Sequence, residues 1–246
     1  MKRFTEIVRN DFRNYLKFNI LQIVVIFSLL FAAAMAFFPS FDAMIFIYVT
    51  VFIFPVILFA ISIYIESEER RLIPWTDSEY PTLLVILAKI CSSLILLIIP
   101  FVLDIMVMRF VLNIHFNVLL FFLVYVLAAI MHVVIGTVLA IVSKSSSIMS
   151  ASYIAYIILF SLIPIFYTRD LIPDAFQYVM VISPAYLSGI LFQQIYYGYI
   201  YSPDWLIVLA VVLQVVYIGV LTMLVIRPYF KSYLILPKDK EEEAIK

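Results

Sequence analysis

Polar side chains are sparse in the apolar stretches of this chain, and none has the spacing that catalysis requires. Asp104, His132 and Gln214 stand in apolar runs without an acidic or histidine residue three or four positions away. The glycines form no G-x-x-x-x-G-K phosphate loop, and G-x-S-x-G and H-E-x-x-H do not occur. We therefore expect no catalytic residue and no ATP site in this chain.

The sequence offers few residues that could bind a metal ion or form a disulfide. Cys91 is the one cysteine, so the chain cannot form an internal disulfide. His115 and His132 would lie about 25 Å apart on a continuous helix, too far to share a metal ion. We expect no metal and no cofactor in this chain.

The composition is that of an integral membrane protein. Hydrophobic residues make up 66% of the 246 residues and charged residues 13%, which is far from the composition of a soluble domain. Apolar runs of about 20 residues, the length that crosses a bilayer, predict an all-α fold with six transmembrane helices. They lie near residues 20–38, 43–65, 83–111, 118–142, 148–167 and 205–226.

The positions of the cations predict the orientation of this single domain, residues 1–246. If the N-terminus is cytoplasmic, 14 of the 16 Lys and Arg residues lie on the inner side. We expect a multi-pass protein of the cell membrane with both termini in the cytoplasm. The loop 66–82 and the tail 228–246 are then cytoplasmic.

Residues 1–18 have the pattern of an amphipathic helix at the membrane surface. Its cationic row is Arg9, Arg13 and Lys17. Apolar residues recur at spacings of three and four, namely Phe4, Ile7, Val8, Phe12, Tyr15 and Leu16. This helix is either a headgroup anchor or a lever for a cytosolic partner.

The third predicted helix carries two cations, Lys89 and Arg109, that can each extend to one membrane surface. Asp104 lies about a turn inside the outer surface. It either pairs with Arg109 to fix the depth of the helix or lines a polar cavity. His132 is either an interhelical hydrogen-bonding residue or, less in keeping with its isolation, a proton carrier.

Aromatic residues recur along the fifth predicted helix. Tyr153, Tyr156 and Phe160 share a face, which is typical of packing but would also suit a route for amphipathic molecules. The next segment, 168–204, is too apolar for a free loop, yet Pro173 and Pro184 interrupt it. We expect an extracellular, re-entrant helical segment, with Tyr186 at the membrane interface.

Two stretches resemble the permeases of type-2 ABC exporters, the ABC-2 family. Between the fifth and sixth helices the similar residues are Pro173, Phe176, Gln177, Pro184 and Tyr186, with Ser183 in place of the family's Asn. In the first cytoplasmic loop they are Glu66, Glu68, Leu72 and Lys89, with Arg70 and Arg71 in place of Gly-Thr.

The resemblance implies that residues 66–82 form a coupling helix that docks on a separate cytosolic ABC ATPase. Trp75 would be the buried anchor of this surface. The charged residues that would orient the partner are Glu66, Glu68, Glu69, Arg70 and Arg71. ATP and Mg would be bound by the partner ATPase.

The resemblance also implies the rest of the assembly. A second permease chain, identical or different, would complete an exporter that moves an amphipathic or lipophilic drug, peptide or lipid out of the cytoplasm. We expect the lipid bilayer as the surroundings and no nucleic-acid partner. Three alternatives are a plain solvated connector at residues 66–82, a non-transporting scaffold or immunity subunit, and a membrane-embedded enzyme.

Overall fold

Six membrane-crossing helices dominate the structure. The computed structural model describes residues 2–38, 43–68, 81–143, 145–167, 171–197 and 203–230, and every regular element in these ranges is helical. The apolar helices, which we call spans 1 to 6, are Ile20–Phe37, Ala43–Ser67, Thr82–Val111, Val118–Val142, Ser146–Tyr167 and Asp204–Phe230. Their ends agree with the predicted ones within four residues, which confirms the all-α membrane fold.

The N-terminal helix, Lys2–Lys17, precedes span 1 and is joined to it at Asn19, whose φ of 56° lies in the left-handed region. Ile7 and Tyr15 of this helix are buried. Leu16 is 54% exposed, so the predicted apolar face is narrower than the sequence indicates. The reason is that two polar residues, Asp11 and Asn14, occupy part of the buried face.

Span 2 is the central helix of the bundle. Of the 18 residues in its apolar stretch, 67% are buried, whereas the corresponding share is 28% in span 1 and 22% in each of spans 5 and 6. Gly136 of span 4 allows the closest approach to span 2, because a Cβ atom there would lie 2.5 Å from the carbonyl oxygen of Val56. Small residues permit such contacts between membrane helices.

Both described ends of the chain lie on one side of the bundle. Ile226 and Phe230, at the end of span 6, pack in one cluster with Ile7 of the N-terminal helix. This agrees with the predicted placement of the two termini on the same side of the membrane.

Prolines explain three of the π-helical segments in the described part of the spans. The segments Tyr48–Ile53, Ile158–Leu162 and Leu221–Ile226 each end two residues before a proline, at positions 55, 164 and 228. Proline has no N–H for the carbonyl four residues earlier, so the helix locally widens to bonds between residues five apart. Pro100 lies inside span 3 without such a segment.

A bent helix pair connects spans 5 and 6. Its first arm is Asp174–Met180 and its second arm is Pro184–Tyr197, and the helix direction bends by 113° between them. The second arm is buried over most of its length, and a Cβ atom on Gly189 would overlap the Tyr48 side chain of span 2. The pair therefore enters the bundle, as expected of a re-entrant segment.

Candidate functional site

A buried charged cluster joins the N-terminal helix to spans 2 and 3. The Lys89 ammonium of span 3 donates to Asp11 Oδ1 at 2.9 Å and to Glu66 Oε2 at 2.5 Å. Asp11 and Glu66 are each 1% exposed. We call this group, with its partners Asn14 and Ser92, the base cluster.

The base cluster satisfies all four carboxylate oxygens. Asn14 Nδ2 donates to Glu66 Oε1 at 3.1 Å, and Ser92 Oγ donates to Asp11 Oδ2 at 2.6 Å. Buried ion pairs persist when their remaining polar atoms are hydrogen-bonded in this way. The cluster is therefore a fixed junction between three helices.

Tyr15 belongs to the same environment. Burial, followed by the negative charge of Asp11, raises the pKa of the Tyr15 hydroxyl well above its usual range. The side chain is consequently neutral at physiological pH, and its ring packs in a cluster with Ile20 and Leu96.

The base cluster brackets the predicted docking loop. Glu66 lies two residues before Glu68, the last described residue ahead of the loop, and Lys89 lies eight residues after Pro81, where the description resumes. Both helix ends are thereby fastened to the N-terminal helix, Lys89 through Asp11 and Glu66 through Asn14. Any displacement of the loop ends must move or break this junction.

The structure corrects the role of Glu66 and leaves the other docking residues as predictions. Glu66 cannot contact a partner in this conformation, because its carboxylate is buried and both of its oxygens are bonded. The remaining predicted docking residues fall outside the part whose side chains the structure describes, namely Glu68, Glu69, Arg70, Arg71 and Trp75. Arg9, Arg13 and Lys17 of the predicted interface helix are exposed.

Lys89 also departs from its sequence-based interpretation. We expected its long side chain to extend to the membrane surface, but it is largely buried and ion-paired. Sequence reasoning missed its partners Asp11, Asn14 and Ser92. A signal was available, since Asp11 and Asn14 follow Ile7 at intervals of four and seven and therefore share its helix face.

Asp104 does not pair with Arg109. Its Oδ2 accepts a hydrogen bond from Thr50 Oγ1 of span 2 at 2.8 Å, and its Oδ1 has no partner in the described part of the chain. Arg109 instead donates to the Phe116 carbonyl at 2.9 Å and lies over the Phe116 ring. The predicted depth anchor is therefore wrong, and Asp104 joins spans 2 and 3.

Among the residues that the structure describes, His132 forms no hydrogen bond to another span. Its Nδ1 lies 2.7 Å from the Ala128 carbonyl of its own helix, and its ring stacks on Phe52 of span 2 at 4.9 Å. This corrects the expected interhelical hydrogen bond. Gln214 accepts from Ser188 of the bent pair, so the polar residues weighed as catalytic candidates bond to separate partners.

The aromatic face of span 5 contacts its neighbours at two levels. The Tyr153 hydroxyl donates to the Ile53 carbonyl of span 2 at 3.3 Å. Tyr156 and Phe160 stack at 5.6 Å and line a cavity beside spans 4 and 6. Their role in a translocation route stays a prediction.

Ser183 fixes the turn of the bent helix pair. Its hydroxyl accepts from the Tyr186 backbone N–H at 3.1 Å and donates to the Phe160 carbonyl of span 5 at 2.7 Å. Pro184 follows at the first helical position, the usual place for proline. Tyr186 is buried with its ring against Tyr167, and Pro173 precedes the first arm.

The Phe160 carbonyl lies four residues before Pro164, which has no N–H to donate to it. An unbonded carbonyl is costly within a bilayer. Ser183 donates a hydrogen bond to this carbonyl from a different element.

These features define a multi-pass membrane protein whose polar groups join its helices. The model of the ABC-2 type transporter family matches residues 1–197, so the chain belongs to that family. Neither a curated protein nor a solved structure matches it. The family membership confirms a membrane permease domain of an ABC transporter.

Proposed function

We propose that the chain is the permease subunit of an exporter driven by a separate cytosolic ABC ATPase. The observation that supports this most strongly is the base cluster, which fastens both ends of the loop 66–82 to the N-terminal helix. A partner bound to that loop would act on three helices through one junction. A cytosolic ATPase that displaces the loop would therefore displace these three helices together.

In this mechanism, closure of the ATPases on ATP displaces the coupling loops and the N-terminal helices. Span 2 transmits the displacement because Glu66 lies near its end and the π-helical segment Tyr48–Ile53 lies further along it. The Tyr153–Ile53 hydrogen bond carries the movement to span 5. Weakened helix segments such as these π-helical turns are suitable hinges.

The proposed assembly contains two permease chains, identical or different, and two ATPase chains. Spans 1, 5 and 6 are the least buried in this single chain, so they present apolar faces that a second permease or lipid can cover. The cargo is an amphipathic or lipophilic molecule that moves out of the cytoplasm. The loop and both termini face the cytoplasm in this proposal.

A photocrosslinking experiment tests the docking surface. The chain has two tryptophans, Trp75 in the loop and Trp205 at the start of span 6, on the opposite side of the bundle. A photoreactive phenylalanine analogue at position 75 should crosslink an ABC ATPase in native membranes, whereas the same group at position 205 should not. Equal products at both positions, or none at 75, would contradict the docking assignment.

A further inference from the structure

A small cavity of about 10 Å³ adjoins the base cluster. It lies where spans 2, 3 and 4 meet the N-terminal helix and the end of span 6. Lys89 of the base cluster lines it, and Ile226 and Phe230 of span 6 form an apolar part of its wall. The smallest cavities that hold a water molecule have about this volume. The cavity therefore has room for one molecule of that size.

The cavity lies inside the membrane-spanning part of the bundle. Ser62 is five residues before the end of span 2, and Thr137 is five residues before the end of span 4. At 1.5 Å per residue, both are about 8 Å from those helix ends. Ser62, Thr137 and the neighbouring Ser93 of span 3 are all buried. Polar groups at this depth need partners inside the protein.

Lys89 has one N–H group more than the acceptors that contact it. Its ammonium carries three N–H groups. Within the described part of the chain, two acceptors bond to it, Asp11 Oδ1 and Glu66 Oε2. A buried donor without an acceptor is costly, most of all on a charged group. Because Lys89 lines the cavity, an acceptor there can take the third N–H.

Three hydroxyl groups also line the cavity, those of Ser62, Ser93 and Thr137. Thr137 donates to the Val133 carbonyl at 2.9 Å and Ser93 donates to the Lys89 carbonyl. Each of these two oxygens still has a lone pair that can accept a hydrogen bond. Ser62 forms no hydrogen bond with another described residue, so its hydroxyl can donate into the cavity.

The charges and hydroxyls around the cavity select the occupant. The Lys89 ammonium repels a cation, and the carboxylates of Asp11 and Glu66 beside it repel an anion. An apolar occupant would leave the Lys89 N–H and the Ser62 hydroxyl without partners. A water molecule is neutral, fits the volume, and commonly makes about three hydrogen bonds when it is buried.

We propose that this cavity binds one structural water molecule, which joins the base cluster to span 4. The water accepts hydrogen bonds from Lys89 and Ser62, and it donates to the hydroxyl oxygens of Ser93 and Thr137. Span 4 contributes no residue to the base cluster itself, so the water extends this junction from three helices to four. The site follows from contacts within this chain and requires no ATPase.

The test uses the full chain, labelled with ¹⁵N-lysine, in nanodiscs. Solid-state NMR measures magnetisation transfer from water protons to the lysine Nζ atoms. The Lys89 signal is assigned by its absence from Lys89→Met. A soluble paramagnetic chelate suppresses the signals of exposed lysines and of bulk water. We expect a transfer peak at Lys89 that persists when the chelate is present.

Two variants at position 62 test the size of the site. Ser62→Ala leaves the space and three of the four partners, so the transfer peak should remain. Ser62→Val places methyl groups in the cavity and removes a donor, so the peak should be lost. The Nζ chemical shift of Lys89, which reports its ion pairs, and gel filtration confirm that the base cluster and the fold are intact in both variants.

A second pair of variants tests the link to span 4. Thr137→Val removes one acceptor with little change of shape and should weaken the transfer peak. Thr222→Val makes the same change at a buried hydroxyl of span 6 that is not part of the wall, and it should leave the peak unchanged. This pair decides the outcome if Ser62→Val does not fold.

The proposal is overturned if wild-type Lys89 shows no transfer peak, or if folded Ser62→Ala and Ser62→Val give equal peaks. Equal peaks in Thr137→Val and Thr222→Val would also overturn it, because Thr137 would then make no bond to the water. The crosslink from position 75 to the ATPase tests the proposed function alone. Its failure would leave the water site unaffected.

Discussion

At the scale of residues, Lys89 is the cation on which the base cluster depends. It neutralises one of two buried carboxylates and bonds directly to both. Removing one member of a buried ion pair is far more costly than replacing the whole group, because an unpaired charge is left behind.

Lys89→Met should therefore destabilise the protein by about 3–5 kcal/mol. The triple variant Lys89→Met, Asp11→Asn, Glu66→Gln should recover most of that loss, since no buried charge remains. Thermal unfolding in detergent measures both. Arg13→Met, at an exposed position of the same N-terminal helix, is the control and should not shift the midpoint. If Lys89→Met alone were as stable as the triple variant, the two carboxylates would not be held by Lys89.

Ser183 should lose two interactions when it is replaced by alanine, the helix cap and the hydrogen bond to Phe160. Each is worth about 1 kcal/mol, so we expect Ser183→Ala to cost about 2 kcal/mol. Adding Pro164→Ala should recover about half, because residue 164 regains an N–H for the Phe160 carbonyl. Ser145→Ala, which removes only the cap of span 5, is the matched control. If the changes in unfolding midpoint caused by Ser183→Ala and by Pro164→Ala simply add in the double variant, this assignment is contradicted.

Sequence reasoning identified the features that depend on local composition and missed those that depend on how the helices pack together. The spans follow from hydrophobic length alone, which is a local property, so all six were predictable. The partners of Lys89 and Asp104 depend on which helix faces pack together, and a single sequence does not specify that packing. The absence of an Asp104–Arg109 pair illustrates this, because both residues lie near the outer end of span 3, yet Asp104 bonds to Thr50 of span 2 instead.

At the scale of elements, the close approach of spans 2 and 4 depends on Gly136. The Cβ of any other residue there would meet backbone atoms of Val56, which cannot move aside as a flexible side chain can. Gly219 of span 6 has open space around its hypothetical Cβ. The two glycines have opposite expected responses to the same substitution.

Gly136→Ala should destabilise the bundle by about 1–3 kcal/mol through overpacking. Gly219→Ala should stabilise it by about 0.5–1 kcal/mol, since alanine is the better helix former. Thermal unfolding of the two variants in the same detergent decides the outcome. An unchanged midpoint for Gly136→Ala would mean that spans 2 and 4 pack less closely than described.

The bent helix pair shows what proline patterns predict and what they leave open. Pro173 and Pro184 correctly indicated an interrupted, re-entrant segment. The sequence could not show that Ser183 would donate to the carbonyl four residues before Pro164, because Ser183 and Pro164 are 19 positions apart and meet only through the packing of the pair against span 5.

At the scale of the whole molecule, the excess of cations on one side predicts the orientation in the membrane. Single cysteines at Ser78 and Ser145, in a Cys91→Ser background, should be protected from impermeant thiol reagents in intact cells. A cysteine at Ser202 should be labelled. Labelling from outside at Ser78 would reverse the proposed topology and remove the loop 66–82 from the cytoplasm.

The most direct test of the whole account is ATP hydrolysis by the chain assembled with its ABC ATPase in nanodiscs. The ATPase should co-purify with the wild-type chain and hydrolyse ATP faster when bound to it. Trp75→Ala combined with Arg70→Glu and Arg71→Glu should weaken the complex by about thirtyfold or more, and more strongly at low salt than at high salt. Trp205→Ala is the control. Full co-purification and stimulation in the triple variant would contradict the docking of an ATPase on this loop.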